Sequence, residues 1–176
     1  MHGWTVAFAG ILLLGAAPLA AETVSAGETY FELVTHMAVS APADAVYAAF
    51  ANPGAWWSDA HTYSGDSANM TLATRAGGCF CETLTDGGTI EHGRVVYAQP
   101  GQMLRLVGGL GPLQSEPVYA VLSWTLEKSG TGTRITQRYV ASGHVKGGLG
   151  ALAPLVGKVL DEQLAGLARY AARKPR

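Results

Sequence analysis

Charge is the first thing this sequence has little of. Asp, Glu, Lys and Arg make up 14% of its 176 residues, against a usual quarter, which excludes a disordered chain and a coiled coil. There is no basic surplus, since the formal net charge is −1, and nucleic-acid binding is disfavoured accordingly. The few charges are also unevenly spread: residues 1–100 hold nine acids and two bases, whereas residues 101–176 hold four acids and ten bases.

Residues 1–21 contain no Asp, Glu, Lys or Arg at all, and run from the apolar block Val6–Leu14 into Ala16-Ala17-Pro18-Leu19-Ala20-Ala21 before Glu22. This reads as a secretory signal peptide cut after Ala21, or else after Ala26, with residues 22–176 left as a single domain in the periplasm or secreted medium. A membrane anchor is the competing reading, although the apolar block is short of the ~20 residues a span requires. After cleavage no membrane association is expected.

Cysteine is almost missing: Cys79 and Cys81 are the only two. Extended residues two apart have Cα atoms near ~6.8 Å, the limit of an unstrained disulfide, so two small free thiols are expected. Neither they nor the histidines stand in metal-ligand spacing, and no metal or other cofactor is expected. G-x-S-x-G and H-E-x-x-H are both missing, leaving hydrolase and zincin readings unsupported. Gly148-Leu149-Gly150-Ala151-Leu152-Ala153 fits a dinucleotide fingerprint, but too little chain follows for a parallel strand and a ribose-binding acid.

What is present has clear periodicity. Tyr30–Val39 alternates Phe31, Leu33, Met37 and Val39 with more polar residues, as a strand does. Ala43–Ala51 sets Val46, Tyr47 and Phe50 on one helical face, and Asn52-Pro53-Gly54 stops that helix before Trp56-Trp57. Between Asn69 and His144 the glycine-rich turns divide the chain into six further strands, mostly joined as hairpins. Finally Leu152, Leu155, Val156, Val159, Leu160, Gln163, Leu164 and Leu167 follow the three-and-four spacing of a long amphipathic helix with Pro154 in its first turn.

Short motifs recur in a recognisable order: Ala41-Pro42-Ala43-Asp44-Ala45-Val46-Tyr47, Trp56-Trp57, Gly77-Gly78-Cys79-Phe80, Gly93-Arg94-Val95, Pro100-Gly101 through Leu104-Arg105-Leu106, and Gly132-Thr133. In these stretches, across residues 30–170, the chain resembles the SRPBCC (START-like) superfamily. The resemblance is to the branch of the activator of heat-shock-protein ATPase and the polyketide cyclase/dehydratase proteins. It implies an α+β helix-grip fold, in which a curved antiparallel sheet of about seven strands wraps a long C-terminal helix around an apolar cavity. Activity is not implied, because the superfamily spans carriers, receptors, cyclases and chaperone cofactors.

Hairpin register locates the expected cavity. With Gly87-Gly88 as a two-residue loop, Glu82 opposes Gly93; with Pro100-Gly101 at the next turn, Tyr97 opposes Leu104 and Val95 opposes Leu106. One face then carries Phe80, Glu82, Leu84, Glu91, Gly93, Val95, Tyr97, Leu104 and Leu106, and His92 lies on the other. A three-residue first loop would instead set Glu82 opposite His92 and bring more charge inside. Continuing the alternation, Trp124 and Tyr139 join the cavity, roofed by Leu155, Val159, Gln163 and Leu167 of the last helix. Glu82, Val95, Tyr97, Leu106, Trp124, Tyr139, Val159 and Gln163 are therefore the candidate ligand-cavity residues.

Two functional classes follow, with a weaker third. A non-catalytic exported module binding a small hydrophobic or aromatic molecule leads, because the sequence offers a cavity without a complete catalytic set. An enzyme of cyclase or dehydratase type would use Glu82 with Tyr97 or Tyr139 as acid and base. A chaperone-cofactor role is implied by the resemblance alone, and export argues against it.

Overall fold

A computed structural model describes residues 20–173. The signal-peptide reading falls, apart from Ala20 and Ala21, outside the described residues. From Glu22 onward the chain forms β1 (Glu22–Gly27), β2 (Tyr30–Val39), α1 (Ala43–Phe50), β3 (Met70–Leu72), β4 (Cys79–Thr83), β5 (Thr89–Gln99), β6 (Met103–Val107), β7 (Val118–Ser129), β8 (Gly132–Gly143) and α2 (Ala153–Ala171). All eight strands belong to one sheet of order β1-β2-β8-β7-β6-β5-β4-β3, and every neighbouring pair is antiparallel. This is the helix-grip architecture, with eight strands where about seven were expected. The addition is β1, whose Glu22-Thr23-Val24-Ser25-Ala26-Gly27 has no strong alternation and pairs with β2 across an irregularity between Thr23 and Ser25.

The elements form where the periodicity requires. In β2, Phe31, Leu33 and Val39 are buried, and Thr35 with them. Helix α1 buries Val46, Tyr47 and Phe50 and ends before Pro53, whose ring cannot continue the hydrogen-bond ladder. Pro154 lies in the first turn of α2, where its missing N–H costs nothing. That helix packs on β2 and α1 and buries Leu160, Gln163, Leu164 and Leu167. Its middle is tied to the sheet by polar contacts: Trp124 Nε1 donates to Gln137 Oε1 (2.8 Å), and Gln137 Nε2 donates to the Leu160 carbonyl (3.2 Å). Further along, the Thr35 hydroxyl donates to Asp161 (2.8 Å).

Strand β5 departs from the expected register twice. The β4–β5 hairpin turns through residues 85–87, with Leu84 N–H donating to Gly88 O (2.8 Å) and Gly87 at φ 87°. Pairing therefore begins with Thr83 opposite Thr89 and sets Glu82 opposite Ile90, not Gly93. His92 is then an extra residue, because Cys81 pairs with Glu91 while Phe80 pairs with Gly93. A second bulge leaves Val96 unpaired: Val95 opposes Leu106 as expected, but Tyr97 opposes Arg105 and Ala98 opposes Leu104. A bulge inserts one residue and exchanges the faces beyond it. Tyr97 is accordingly outside the sheet, 43% exposed, with the Arg105 guanidinium 5.9 Å from its ring centre. Its expected place in the cavity is corrected, as is that of His92 on the outer face.

The thiol expectation is corrected too. Cys79 and Cys81 form a disulfide, their Cα atoms drawn in to 5.4 Å, closer than two residues apart on a flat strand. They lie beside the first bulge, where the ladder shifts between Phe80 and Cys81.

Candidate functional site

Most of the space beneath α2 is filled by side chains. Trp124 stacks on Phe50 with ring centres 4.9 Å apart, and Tyr139 leans on Phe31 at 5.9 Å. Val95, Leu106, Trp124, Tyr139 and Gln163 are all buried; they pack in the core and do not line the apolar pocket that opens beside α2.

That pocket, about 420 Å³, sits at the N-terminal half of α2. Val156, Val159 and Leu160 form one wall, Trp57 and Tyr63 a second, and Leu110, Pro112 and Leu113 a third, with Leu155 at the side. Val159 is the expected cavity residue that does line the space. Across it, the Tyr63 hydroxyl donates to the Gly111 carbonyl (2.9 Å), linking two walls. Both Tyr63 and Leu155 remain more than half exposed at 51% and 63%, so large apolar groups stand in water beside the pocket.

One polar pair belongs to this site. His92 lines the pocket, and its Nε2 lies 2.9 Å from Glu82 Oε2. Both are buried, Glu82 at 1% exposure and His92 at 4%. Glu82 points inward because it shares a face with Phe80 two residues earlier; His92 joins it because it lies two residues after Ile90, the partner of Glu82, just before the bulge shifts the frame to Gly93. The carboxylate also accepts the backbone N–H groups of Tyr63 (3.1 Å) and Ser64. Burial alone would raise the Glu82 pKa, but hydrogen bonds from Ser64, Tyr63 and His92 outweigh it and hold the group below its ordinary value. For His92, burial lowers the pKa, and Glu82 offsets this only in part. The stable form is thus a carboxylate beside a neutral imidazole. Phe80 and Tyr63 flank the ring at centre distances of 5.2 and 5.8 Å.

Tyr139 differs from this pair. Burial pushes its phenol up to about 12, with the Leu110 backbone acting weakly the other way, and its hydroxyl makes no hydrogen bond of good geometry among the described residues. It stays a neutral phenol at any ordinary pH. Among the described residues, the ligand-type atoms that gather outside the pocket are those of Cys79, Cys81 and Glu91, within 4.8 Å of one another. The two sulfurs are bonded together and Glu91 engages Arg94.

Sequence reasoning placed Glu82 inside and missed His92, Tyr63 and the turn at residues 110–113. The signal for His92 was the alternative of a three-residue loop, which puts it on the face of Glu82, although the partner of Glu82 is Ile90 and not His92. The turn carried Gly111-Pro112, legible only as punctuation.

Comparison with solved structures supports the fold. A protein from Rhizobium leguminosarum is similar with a TM-score of 0.57 and 20% identity, covering 85% of this chain and 98% of that one. One from Chromobacterium violaceum gives 0.55 and 20%, covering 81% and 98%. A protein described as belonging to a dynemicin biosynthetic locus gives 0.54 and 20%, covering 79% of this chain and 46% of the other. No curated protein matches. A family model described as polyketide cyclase / dehydrase and lipid transport matches residues 30–172, nearly the whole of the sheet and α2. The chain therefore belongs to that family, within the SRPBCC (START-like) superfamily.

Proposed function

We propose that this protein is an exported module that holds a small apolar or aromatic molecule in the pocket between α2 and the Trp57–Tyr63 segment, without transforming it. The observation that carries the reading is the pocket itself: about 420 Å³, walled mainly by aliphatic and aromatic side chains, a size and lining typical of small-molecule sites. An acid–base role for Glu82 with Tyr97 or Tyr139 has less support, since Tyr97 lies on the opposite face and Tyr139 is not in the pocket wall.

Export is supported by the charge-free residues 1–21 and by the Cys79–Cys81 disulfide, a bond that persists in oxidising compartments. Cleavage after Ala21 is favoured over Ala26, because the later cut would remove five of the six residues of β1. Among the described residues no helix is long and apolar enough to cross a membrane.

The test is native mass spectrometry of protein purified from its host, together with displacement of the apolar dye N-phenyl-1-naphthylamine. A co-purified small molecule, and dye binding that Val156→Trp abolishes, are expected. Dye binding unchanged by Val156→Trp would place the site elsewhere and refute the reading. The same mass measurement reports the N-terminus, expected at Glu22.

A further inference from the structure

The pocket's lining is mainly apolar, and of its polar side chains, His61, Thr62, Tyr63 and His92, His92 alone is buried, with its chemistry fixed by geometry. Glu82 is satisfied as an acceptor by three donors: Tyr63 N–H, Ser64 N–H and His92 Nε2. A carboxylate can only accept, so Nε2 must carry the imidazole proton. In a neutral ring the other nitrogen, Nδ1, then has a lone pair and no hydrogen. Among the described residues nothing donates to Nδ1, although the ring is 96% withdrawn from solvent and forms part of the pocket wall. Among those residues, the fully buried side-chain atoms that lack a partner are Tyr139 Oη and Gln163 Nε2, so the unpaired Nδ1 stays open to the pocket space, and a ligand that displaced water from it without donating a hydrogen would forfeit about 1–3 kcal/mol.

We propose that His92 Nδ1 is the pocket's recognition atom, and that the ligand is an apolar or aromatic molecule bearing a hydroxyl that donates to it. This rests on the pocket being the binding site and adds the ligand's polar group. Glu82 acts as the positioning residue: its carboxylate selects the tautomer and holds the ring plane. Its negative charge also disfavours anionic ligands, so a neutral phenol, enol or alcohol suits the site and a carboxylate does not. A ligand lacking the hydroxyl leaves Nδ1 buried and unpaired, and such sites discriminate against the missing group more strongly than apolar pockets discriminate by size.

The test compares three ligands of nearly one shape by calorimetry at neutral pH: 2-naphthol, which donates, 2-methoxynaphthalene, which only accepts, and 2-methylnaphthalene, which does neither. The expected result is that 2-naphthol binds at least about tenfold more tightly than the other two, equivalent to about 1.4 kcal/mol. In His92→Phe, which keeps a ring against Phe80 and Tyr63, that preference should vanish while the affinity for 2-methylnaphthalene survives. Equal binding of the three to the unmodified protein, or a naphthol preference that persists in His92→Phe, overturns the inference and leaves the apolar-pocket reading standing. If none binds, the apolar-pocket reading fails and this inference with it. Should His92→Phe not fold, the ¹⁵N spectrum of the unmodified protein decides: the Nδ1 resonance must shift toward that of a hydrogen-bonded nitrogen with 2-naphthol but not with 2-methylnaphthalene. An unmoved Nδ1 resonance refutes the assignment.

Discussion

Replacing Gly166 with Ala should destabilise the protein, although on an isolated helix it would do the reverse. Gly166 lies in the buried stripe of α2, where Ala is intrinsically favoured over Gly by about 1 kcal/mol. A Cβ there would sit 2.1 Å from the carbonyl oxygen of Trp56, well inside the 3.0 Å that real Cβ contacts keep. The obstacle is backbone, so no side chain can rotate away; either α2 lifts from the sheet or the Trp56-Trp57 segment retreats. Trp56 is itself fixed by its indole N–H on the Ala49 carbonyl (2.9 Å). Overpacking of this kind costs about 1–3 kcal/mol or more, so after the helix gain we expect a net loss of about 2 kcal/mol. For a domain of this size that lowers Tm by roughly 4–8 °C. Gly157→Ala is the control on the same helix: its Cβ would lie 3.2 Å from Ala21 Cβ, a residue absent from a chain that begins at Glu22, and 3.7 Å from Leu33 Cδ1, an ordinary contact. It should leave Tm unchanged or raised. Calorimetric unfolding of both variants settles the matter, and a Gly166→Ala protein as stable as the original would show that α2 does not seat on Trp56.

Leu160→Ala and Leu164→Ala remove buried side chains from the centre of α2 and should each cost about 2–5 kcal/mol, read as a lower urea midpoint; unchanged midpoints would contradict the packing. Acid should destabilise the protein in two stages. The pKa of His92 is lowered from 6.5 on folding, so below 6.5 the unfolded chain takes up a proton that the folded one refuses, and stability falls until the folded value is passed. Glu82, lowered from 4.5, contributes stability above that value which is lost as the pH drops through its folded value. Urea midpoints between pH 7 and 5 should therefore decline less steeply in His92→Phe; an equal slope would mean that His92 does not titrate as argued.

What the sequence made legible depended on what each feature is a property of. Burial along β2, the inward side of Glu82 and the stripe of α2 are properties of one segment's own period, so alternation and helical spacing were enough. Tyr97 and His92 were misplaced because their faces depend on pairing between strands, and a bulge leaves no mark in the periodicity of either partner. The loop at Thr85-Asp86-Gly87 and the one at Gly87-Gly88 are both chemically acceptable turns, differing in whether Gly88 as well as Gly87 takes a positive φ. The pocket's position was harder still. Trp124 and Tyr139 were read as cavity walls, but whether aromatic rings line a space or fill it is settled by packing against Phe50 and Phe31, residues distant in the chain.

The two bulges of β5 also govern how this strand can be compared with its relatives. Inward positions run through Ile90, shift frame at His92 to Gly93 and Val95, and shift back after Val96 to Ala98. Deleting one residue at either bulge would turn the strand beyond that bulge inside out, whereas losing both would preserve the ends and invert only the stretch between. Insertions and deletions in this strand should therefore be tolerated in pairs. An alignment that carries β5 across without gaps would equate pocket-facing residues of one protein with solvent-facing residues of the other.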